Sequence, residues 1–258
     1  MGTDIKSLSA FYHAPRGRMA AWLLRQHMAQ LWPLSSLRGL RVLGVGFPGP
    51  YLRCWLEPAA VCISLHPARL GPQSWPVTGP NLACTAEEDA LPFPDRAFDR
   101  IVLVHGLETA DHVRRLLREL WRILIEDGRL MVVAPNRHGV WAHIENTPFG
   151  EGQPYSIGQI DRLLAQALFR TEQRKTALFV PPFESRLLLR TAKFCERLGN
   201  DFLPRLGGVT VSDAVKDVYA ALPLSMPARS RVVLIEPGYC ANRQLCKRPT
   251  LPNVTPLN

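Results

Sequence analysis

The sequence predicts an α/β fold in which a mostly parallel sheet is covered by helices on both faces. Short apolar runs of strand length recur along the chain, and amphipathic stretches of helical length separate them. Apolar runs without polar alternation are typical of strands that are buried on both faces. With 258 residues, of which 47% are hydrophobic, the chain is long enough to bury such a core. Strands and helices that alternate through short loops predict right-handed crossovers.

The first half of the chain begins with a predicted helix. Residues 7–32 carry Met19, Trp22 and Leu23 at helical spacing, and the pattern is broken before these residues by Pro15 and after them by Pro33. The apolar runs that follow are too short for helices and predict strands. These strands cover residues 41–45, 61–65, 82–85 and 101–104, and a helix begins within residues 51–56.

The second half continues the alternation and then changes. An amphipathic helix over 111–125 stops at Asp127-Gly128, and a fifth strand follows over 129–134. Ser156 has the side chain of a good N-cap for the next helix. The remaining predicted elements are a helix over 156–167, a sixth strand over 177–180, a basic helix over 184–198 and a last strand over 209–215.

Three parts of the chain are predicted. Residues 1–36 form an N-terminal helical cap and residues 37–236 form the main domain. Residues 237–258 form a mobile basic tail, because they lack periodicity and hold proline, asparagine and basic side chains. We find no uninterrupted apolar core at the N-terminus and no apolar run of the ~20 residues that a membrane span needs, so we expect a cytoplasmic protein.

The composition also bears on partners and metals. The formal net charge of +9 permits a nucleic-acid partner, but the basic residues are dispersed and no basic run is interleaved with aromatic residues. Nucleic-acid binding is therefore not favoured. The 6 cysteines form no Cys-x-x-Cys pair and have no matching histidine spacing, so we expect free thiols and no metal site. The sequence does not indicate an oligomeric state.

A Gly-rich turn follows the first predicted strand. Gly44, Gly46 and Gly49 allow a ligand to approach the main chain closely, and Phe47 lies between them. The alternative is a tight strand-to-helix turn that holds no ligand. His66 ends the second strand 20 residues after Gly46, where an acid that binds ribose is common.

A longer motif precedes and includes the fourth predicted strand. Residues 87–99 run Glu-Glu-Asp-Ala-Leu-Pro-Phe-Pro-Asp-Arg-Ala-Phe-Asp, and residues 105–108 end the strand with His-Gly-Leu-Glu. Phe93 and Phe98 are expected in the core, and Asp99 is expected to cap a turn. His105 lies where ligands bind in open α/β sheets, either as a cofactor contact and candidate base or as a structural histidine.

These motifs together resemble the S-adenosylmethionine-dependent methyltransferases of the type 11 group, over roughly residues 38–217. The resemblance implies a Rossmann-like, doubly wound, seven-stranded sheet with an antiparallel last strand, and S-adenosylmethionine as cofactor. The cofactor-binding residues it implies are Gly44, Gly46, Phe47, Gly49, His66, Glu87, Glu88 and His105, with Glu87 at the adenine. Departures from the family pattern are Gly44 in place of an acid, and Pro48 and Pro50 in place of glycines.

Loops at the same edge are the expected substrate contacts. The loop after the fifth strand is long and aromatic, and the N-terminal segment could close over it. The candidates are Tyr12, His13, Arg137, Trp141 and Tyr155. Three segments together also resemble an α-proteobacterial subgroup of the family: Gly46-Phe47 with Pro50-Tyr51, residues 137–141, and Pro148-Phe149-Gly150.

The sequence supports one functional hypothesis and leaves two others open. The first is a small-molecule methyltransferase, with His105 as the candidate catalytic residue. Methyl transfer depends on placing the two reactants in line, so the lack of a catalytic triad is no objection. The second is a methyltransferase-like binding protein that has lost the cofactor, which Gly44, Pro48 and His66 motivate. The third is a nucleic-acid methyltransferase, which the net charge alone motivates.

Overall fold

The apolar runs of the first half pair side by side as parallel strands in the computed structural model. The strands are β1 (Arg41–Gly46), β2 (Val61–Pro67), β3 (Ala83–Ala86), β4 (Phe98–Val104) and β5 (Leu124–Pro135). Their order is β3-β2-β1-β4-β5, and every adjacent pair is parallel. The five predicted strands are therefore confirmed, although several begin earlier or end later than the apolar run alone indicates.

Two further strands complete the sheet. β6 (Phe169–Ala177) and β7 (Val209–Lys216) extend it in the order β5-β7-β6, and β7 is antiparallel to both of its neighbours. The seven-stranded sheet with an antiparallel last strand is confirmed. The sixth strand predicted over 177–180 is wrong, because the strand ends at Ala177 and begins eight residues earlier.

Five α-helices have bounds within the described residues. They are α1 (Ile5–His13), α2 (Pro15–Leu31), α3 (Gly49–Leu52), α4 (Val113–Ile123) and α5 (Ile157–Gln166). α2 confirms the N-terminal helix predicted between Pro15 and Pro33, and α1 is a separate helix before it, since Ala14 is extended with φ −72° and ψ 154°. A residue before proline is disfavoured in the helical region, so Pro15 starts a new helix instead of continuing the old one.

Alternate residues of the central strands enter opposite cores. Val42 packs with Leu24 and Met28 of α2 on one face of the sheet. Leu43 packs with Leu120 of α4 on the other face. This alternation follows from the two-residue period of a strand, and it confirms helices on both faces. The predicted cap of α5 is also confirmed, because Ser156 and Gln159 form a reciprocal capping box.

The structure describes residues 4–144, 147–179, 196, 199 and 206–218. They all lie within one compact unit, Met1–Leu222. The basic helix predicted over 184–198, apart from Glu196, and the tail predicted over 237–258 lie outside these residues. Within the described ranges, we find no helix with both the length and the apolar character that crossing a bilayer requires.

Candidate active site

The carboxyl ends of β1, β2 and β4 meet at one edge of the sheet. Gly46 ends β1, His66 lies at the end of β2, and His105 directly follows β4. In open α/β sheets this edge is where ligands bind, because the helices that follow the strands leave a crevice there. The sequence therefore places three of the predicted cofactor-binding residues at one location.

The Gly-rich turn is closely packed against β4. Gly46 has φ +92°, and a Cβ at this position would lie 2.1 Å from the carbonyl oxygen of Val104. The backbone N–H of Phe47 donates to that same oxygen at 2.8 Å. A residue with a side chain would clash here, so the turn requires glycine for backbone contact within the protein.

The other two glycines of the turn face side chains of the chain itself. A Cβ at Gly44 would lie 2.5 Å from the ring of Pro48, and a Cβ at Gly49 would lie 3.1 Å from the indole of Trp75. The ring of Pro48, which replaces a glycine of the family pattern, therefore packs over Gly44 in β1.

His66 is held by two hydrogen bonds and is 1% exposed. Its Nδ1–H donates to the Gly46 carbonyl oxygen at 3.0 Å, and its Nε2 accepts from the Ser64 hydroxyl at 3.2 Å. A carbonyl can only accept, which assigns the proton to Nδ1. Burial lowers the pKa of His66 below its ordinary value of 6.5, against the opposing effect of the Gly46 hydrogen bond. His66 thus links β2 to the Gly-rich turn as a neutral imidazole.

This neutral histidine predicts a pH dependence of stability. Below pH 6.5 the unfolded chain binds a proton at residue 66 that the folded chain does not, so the free energy of unfolding should fall as the pH falls. His66→Asn should weaken that dependence between neutral pH and about pH 5. Urea unfolding at several pH values measures it. His138→Asn, at an exposed position, should keep the parent's slope; equal slopes for parent and His66→Asn would contradict the prediction.

A buried polar cluster lies next to His66. We use this name for Tyr12, Tyr51, His105 and Glu108, which are 0% to 8% exposed. The hydroxyl of Tyr12 is 2.6 Å from Nε2 of His105 and 2.7 Å from the hydroxyl of Tyr51. Nδ1 of His105 is 3.0 Å from Oε1 of Glu108. The cluster joins α1, α3 and the end of β4.

The chemistry of the groups sets the direction of these bonds. A carboxylate oxygen accepts, so His105 donates from Nδ1 to Glu108 and accepts at Nε2 from the Tyr12 hydroxyl. Tyr12 in turn accepts from Tyr51. Burial raises the pKa of both phenols above the ordinary value of 10, so both remain proton donors. The result is a histidine whose ring is oriented by a buried acid and whose free nitrogen faces a hydroxyl.

The two predicted acids after β3 lie in different environments. Glu87 is exposed and directly follows Ala86, the last residue of β3. Glu88 forms an ion pair with Arg69 at 2.7 Å. Burial raises the pKa of Glu88, and Arg69 opposes that rise. Glu87 is therefore the acid that is accessible to a ligand.

The predicted substrate contacts do not form one group. Tyr12 belongs to the buried polar cluster, whereas His13 is exposed and bonds to the Ser9 carbonyl at 2.7 Å. Arg137 donates to the Pro154 carbonyl at 3.3 Å, and Tyr155 donates to the Leu107 carbonyl at 3.4 Å. Trp141 is fully buried.

Sequence reasoning did not select Tyr51, Glu108 or Phe149. Glu108 lies three residues after His105, and this spacing together with its position after β4 could have indicated the pair. Tyr51 follows the Gly-rich turn, but nothing in its sequence context indicates its contact with Tyr12. The ring of Phe149 lies 4.8 Å from that of His105, across a loop that the sequence leaves unconstrained.

Comparisons of the sequence with known proteins identify similar ones. A family model described as a methyltransferase domain matches residues 44–132. An uncharacterised protein of Mycobacterium tuberculosis is 26% identical over 204 residues, which are 74% of this chain and 67% of that protein. A ubiquinone/menaquinone biosynthesis C-methyltransferase of Bordetella avium is 41% identical over 58 residues, 22% of each chain.

Solved structures give the same fold. An S-adenosylmethionine-dependent methyltransferase of Thermotoga maritima has a TM-score of 0.56 at 18% identity, over 83% of this chain and 96% of that one. A second such enzyme, from Archaeoglobus fulgidus, has a TM-score of 0.55 at 16% identity, over 76% of this chain and 94% of that one.

The fold is that of the Rossmann-like methyltransferases, as predicted. Residues 44–132 match the methyltransferase-domain model, which confirms the predicted resemblance. The domain match supports the predicted methyltransferase, and the two solved neighbours are S-adenosylmethionine-dependent enzymes.

α1 and the Gly-rich turn pack against the carboxyl edge, where this cofactor would bind. Pro48 and Trp75 cover the glycines of the turn. The ring of Tyr12 stacks on Phe47 with centroids 5.5 Å apart, and its hydroxyl reaches His105. Side chains of the chain itself thus pack near the carboxyl ends of β1 and β4.

Proposed function

We propose that this chain transfers a methyl group from S-adenosylmethionine to a small-molecule acceptor. The observation that carries the proposal is the methyltransferase-domain match over β1 to β5, the strands whose carboxyl ends bring together the Gly-rich turn, His66 and His105. A basic but dispersed surface favours a small acceptor over a nucleic acid.

His105 is the residue we assign as general base. An acceptor hydroxyl or amine must lose a proton when it is methylated, and a positioned histidine can receive it. Glu108 accepts a hydrogen bond from Nδ1–H of His105, so Nε2 of His105 is the nitrogen that can receive a proton. Most of the rate enhancement in methyl transfer comes from placing the reactants, so His105 contributes a part of it.

Calorimetry with S-adenosylmethionine and S-adenosylhomocysteine tests the proposal. We expect heat of binding for both and a rise in melting temperature, since a ligand that binds only the folded state stabilises it. Adenosine alone serves as a comparison for the contribution of the methionine part. No heat and no thermal shift at millimolar ligand would leave the chain as a methyltransferase-like protein without cofactor.

Glu87 provides a sharper prediction for the same titration. If its carboxylate accepts a hydrogen bond from the adenine, Glu87→Gln should weaken cofactor binding by about 1 to 3 kcal/mol, or roughly 5- to 150-fold. The fold should remain intact because Glu87 is exposed. Glu57→Gln, also at an exposed position, is the matched control. Equal affinity in Glu87→Gln and the parent would place the adenine elsewhere.

A further inference from the structure

Tyr12 is held by a stacking contact on its ring and by two hydrogen bonds at its hydroxyl. Its ring lies nearly parallel to that of Phe47, with an angle of 17° and centroids 5.5 Å apart. Its hydroxyl is within hydrogen-bond distance of both Nε2 of His105 and the hydroxyl of Tyr51. Rings from three other elements therefore hold a phenol that comes from the N-terminal helix.

The helix that carries Tyr12 is structurally distinct from the rest of the cap. α1 has nine residues, of which Leu8, Phe11 and Tyr12 are buried. The extended residue Ala14 separates it from α2. Ser7 and His13 hydrogen bond to Asp4 and Ser9, within α1 and its cap. α1 is therefore a separate helical unit joined to α2 through Ala14, and its backbone packs on α2 where a Cβ at Gly17 would lie 2.0 Å from the Phe11 carbonyl oxygen.

The place that Tyr12 fills is specific for an aromatic hydroxyl. Without the Tyr12 hydroxyl, Nε2 of His105 loses a donor and Tyr51 loses an acceptor. Glu108 lies behind His105, and its Oε2 has no hydrogen-bond partner within the described part of the chain. Removing one member of such a buried network leaves polar groups unpaired, which favours any ligand that restores the bonds.

We propose that Tyr12 is the internal occupant of a site for a phenol, and that α1 keeps this site closed until an aromatic hydroxyl compound displaces it. This inference rests on the proposed function, because it names the class of acceptor that would meet His105. An added phenol and the side chain of Tyr12 then compete for the same site. α1 keeps that site closed when no acceptor is present.

Tyr12→Ala in the full chain tests the site directly, with p-cresol and toluene as probes. p-Cresol has the atoms of the lost side chain, whereas toluene lacks the hydroxyl. We expect p-cresol to bind the variant about tenfold more tightly than toluene, since the hydroxyl restores two hydrogen bonds to buried groups. Tyr12→Phe, whose ring lacks the two hydroxyl bonds, should bind p-cresol more tightly than the parent does, and should not bind toluene. Equal binding of p-cresol and toluene by Tyr12→Ala would overturn the proposal.

Hydrogen exchange on the parent protein provides a second test, which does not depend on the variant folding. An added phenol that takes the place of Tyr12 must displace α1, whose residues 5–13 are helical in the closed state. We therefore expect millimolar p-cresol to speed amide exchange in residues 5–13, and toluene to leave it unchanged. Unchanged exchange with p-cresol would overturn the proposal. Calorimetry with S-adenosylhomocysteine reports on the proposed function separately, so the two failures are distinguishable.

Discussion

Gly46→Ala should lower the free energy of unfolding by about 3 kcal/mol, from a left-handed backbone costing about 1 to 2 and overpacking costing about 1 to 3. The backbone conformation has φ +92°, and the new Cβ would lie 2.1 Å from the Val104 carbonyl oxygen. Backbone atoms of two central strands cannot move apart without breaking the sheet. Urea unfolding of the parent and the variant measures the difference.

Gly79→Ala separates the two contributions to this effect. Gly79 has φ +98°, but a Cβ there meets nothing within 4 Å. The free energy of unfolding of Gly79→Ala should therefore fall only by the conformational cost, about 1 kcal/mol. If Gly46→Ala costs no more than Gly79→Ala, the close packing between the Gly-rich turn and β4 is not what requires glycine.

Arg129→Met should destabilise the protein by about 2 to 4 kcal/mol, because it leaves a buried carboxylate with fewer partners. Asp213 on β7 is fully buried and accepts from Arg129 at 2.7 Å and from Trp32 at 3.1 Å. Methionine keeps much of the apolar stem and removes the guanidinium. Because the pair joins β5 to β7, thermal and urea unfolding should both report the loss.

Arg170→Met is the matched control for Arg129→Met. Arg170 is 66% exposed at its side chain, and its 3.5 Å contact with Glu172 is a surface ion pair. Such pairs contribute about 0 to 1 kcal/mol. A loss in Arg129→Met as small as that in Arg170→Met would show that Asp213 does not depend on its ion pair.

The fold was predictable where the sequence pattern reports burial directly. The run Ile101–Val104 is apolar because it is buried on both faces, and it is a strand. β6 was misplaced because it is an edge strand whose exposed side chains include Glu172 and Gln173. The prediction placed the sixth strand at residues 177–180 because those residues are apolar. Leu178 has φ +62°, so the chain has already left the strand there.

The candidate site was predictable only in its local parts. Gly46, His66 and His105 are each set by the end of a strand, and spacing along the chain locates them. The contact between Tyr12 and His105 spans 93 positions of sequence. It depends on the direction in which α1 turns at Ala14, and helical periodicity does not specify that direction. Glu108 was overlooked because its burial is a property of the packed structure.

The position of β7 between β5 and β6 has a consequence for the order of folding. β2 to β5 can each pair in parallel as soon as they leave the ribosome, because the strand beside each of them precedes it in the chain. β6 has no partner until residues 209–216 are synthesised, because β7 is the strand beside it. Until then, β5 and β6 both expose unpaired backbone groups, which promote association between chains. Completion of the sheet is therefore delayed until its last strand in the chain has been made.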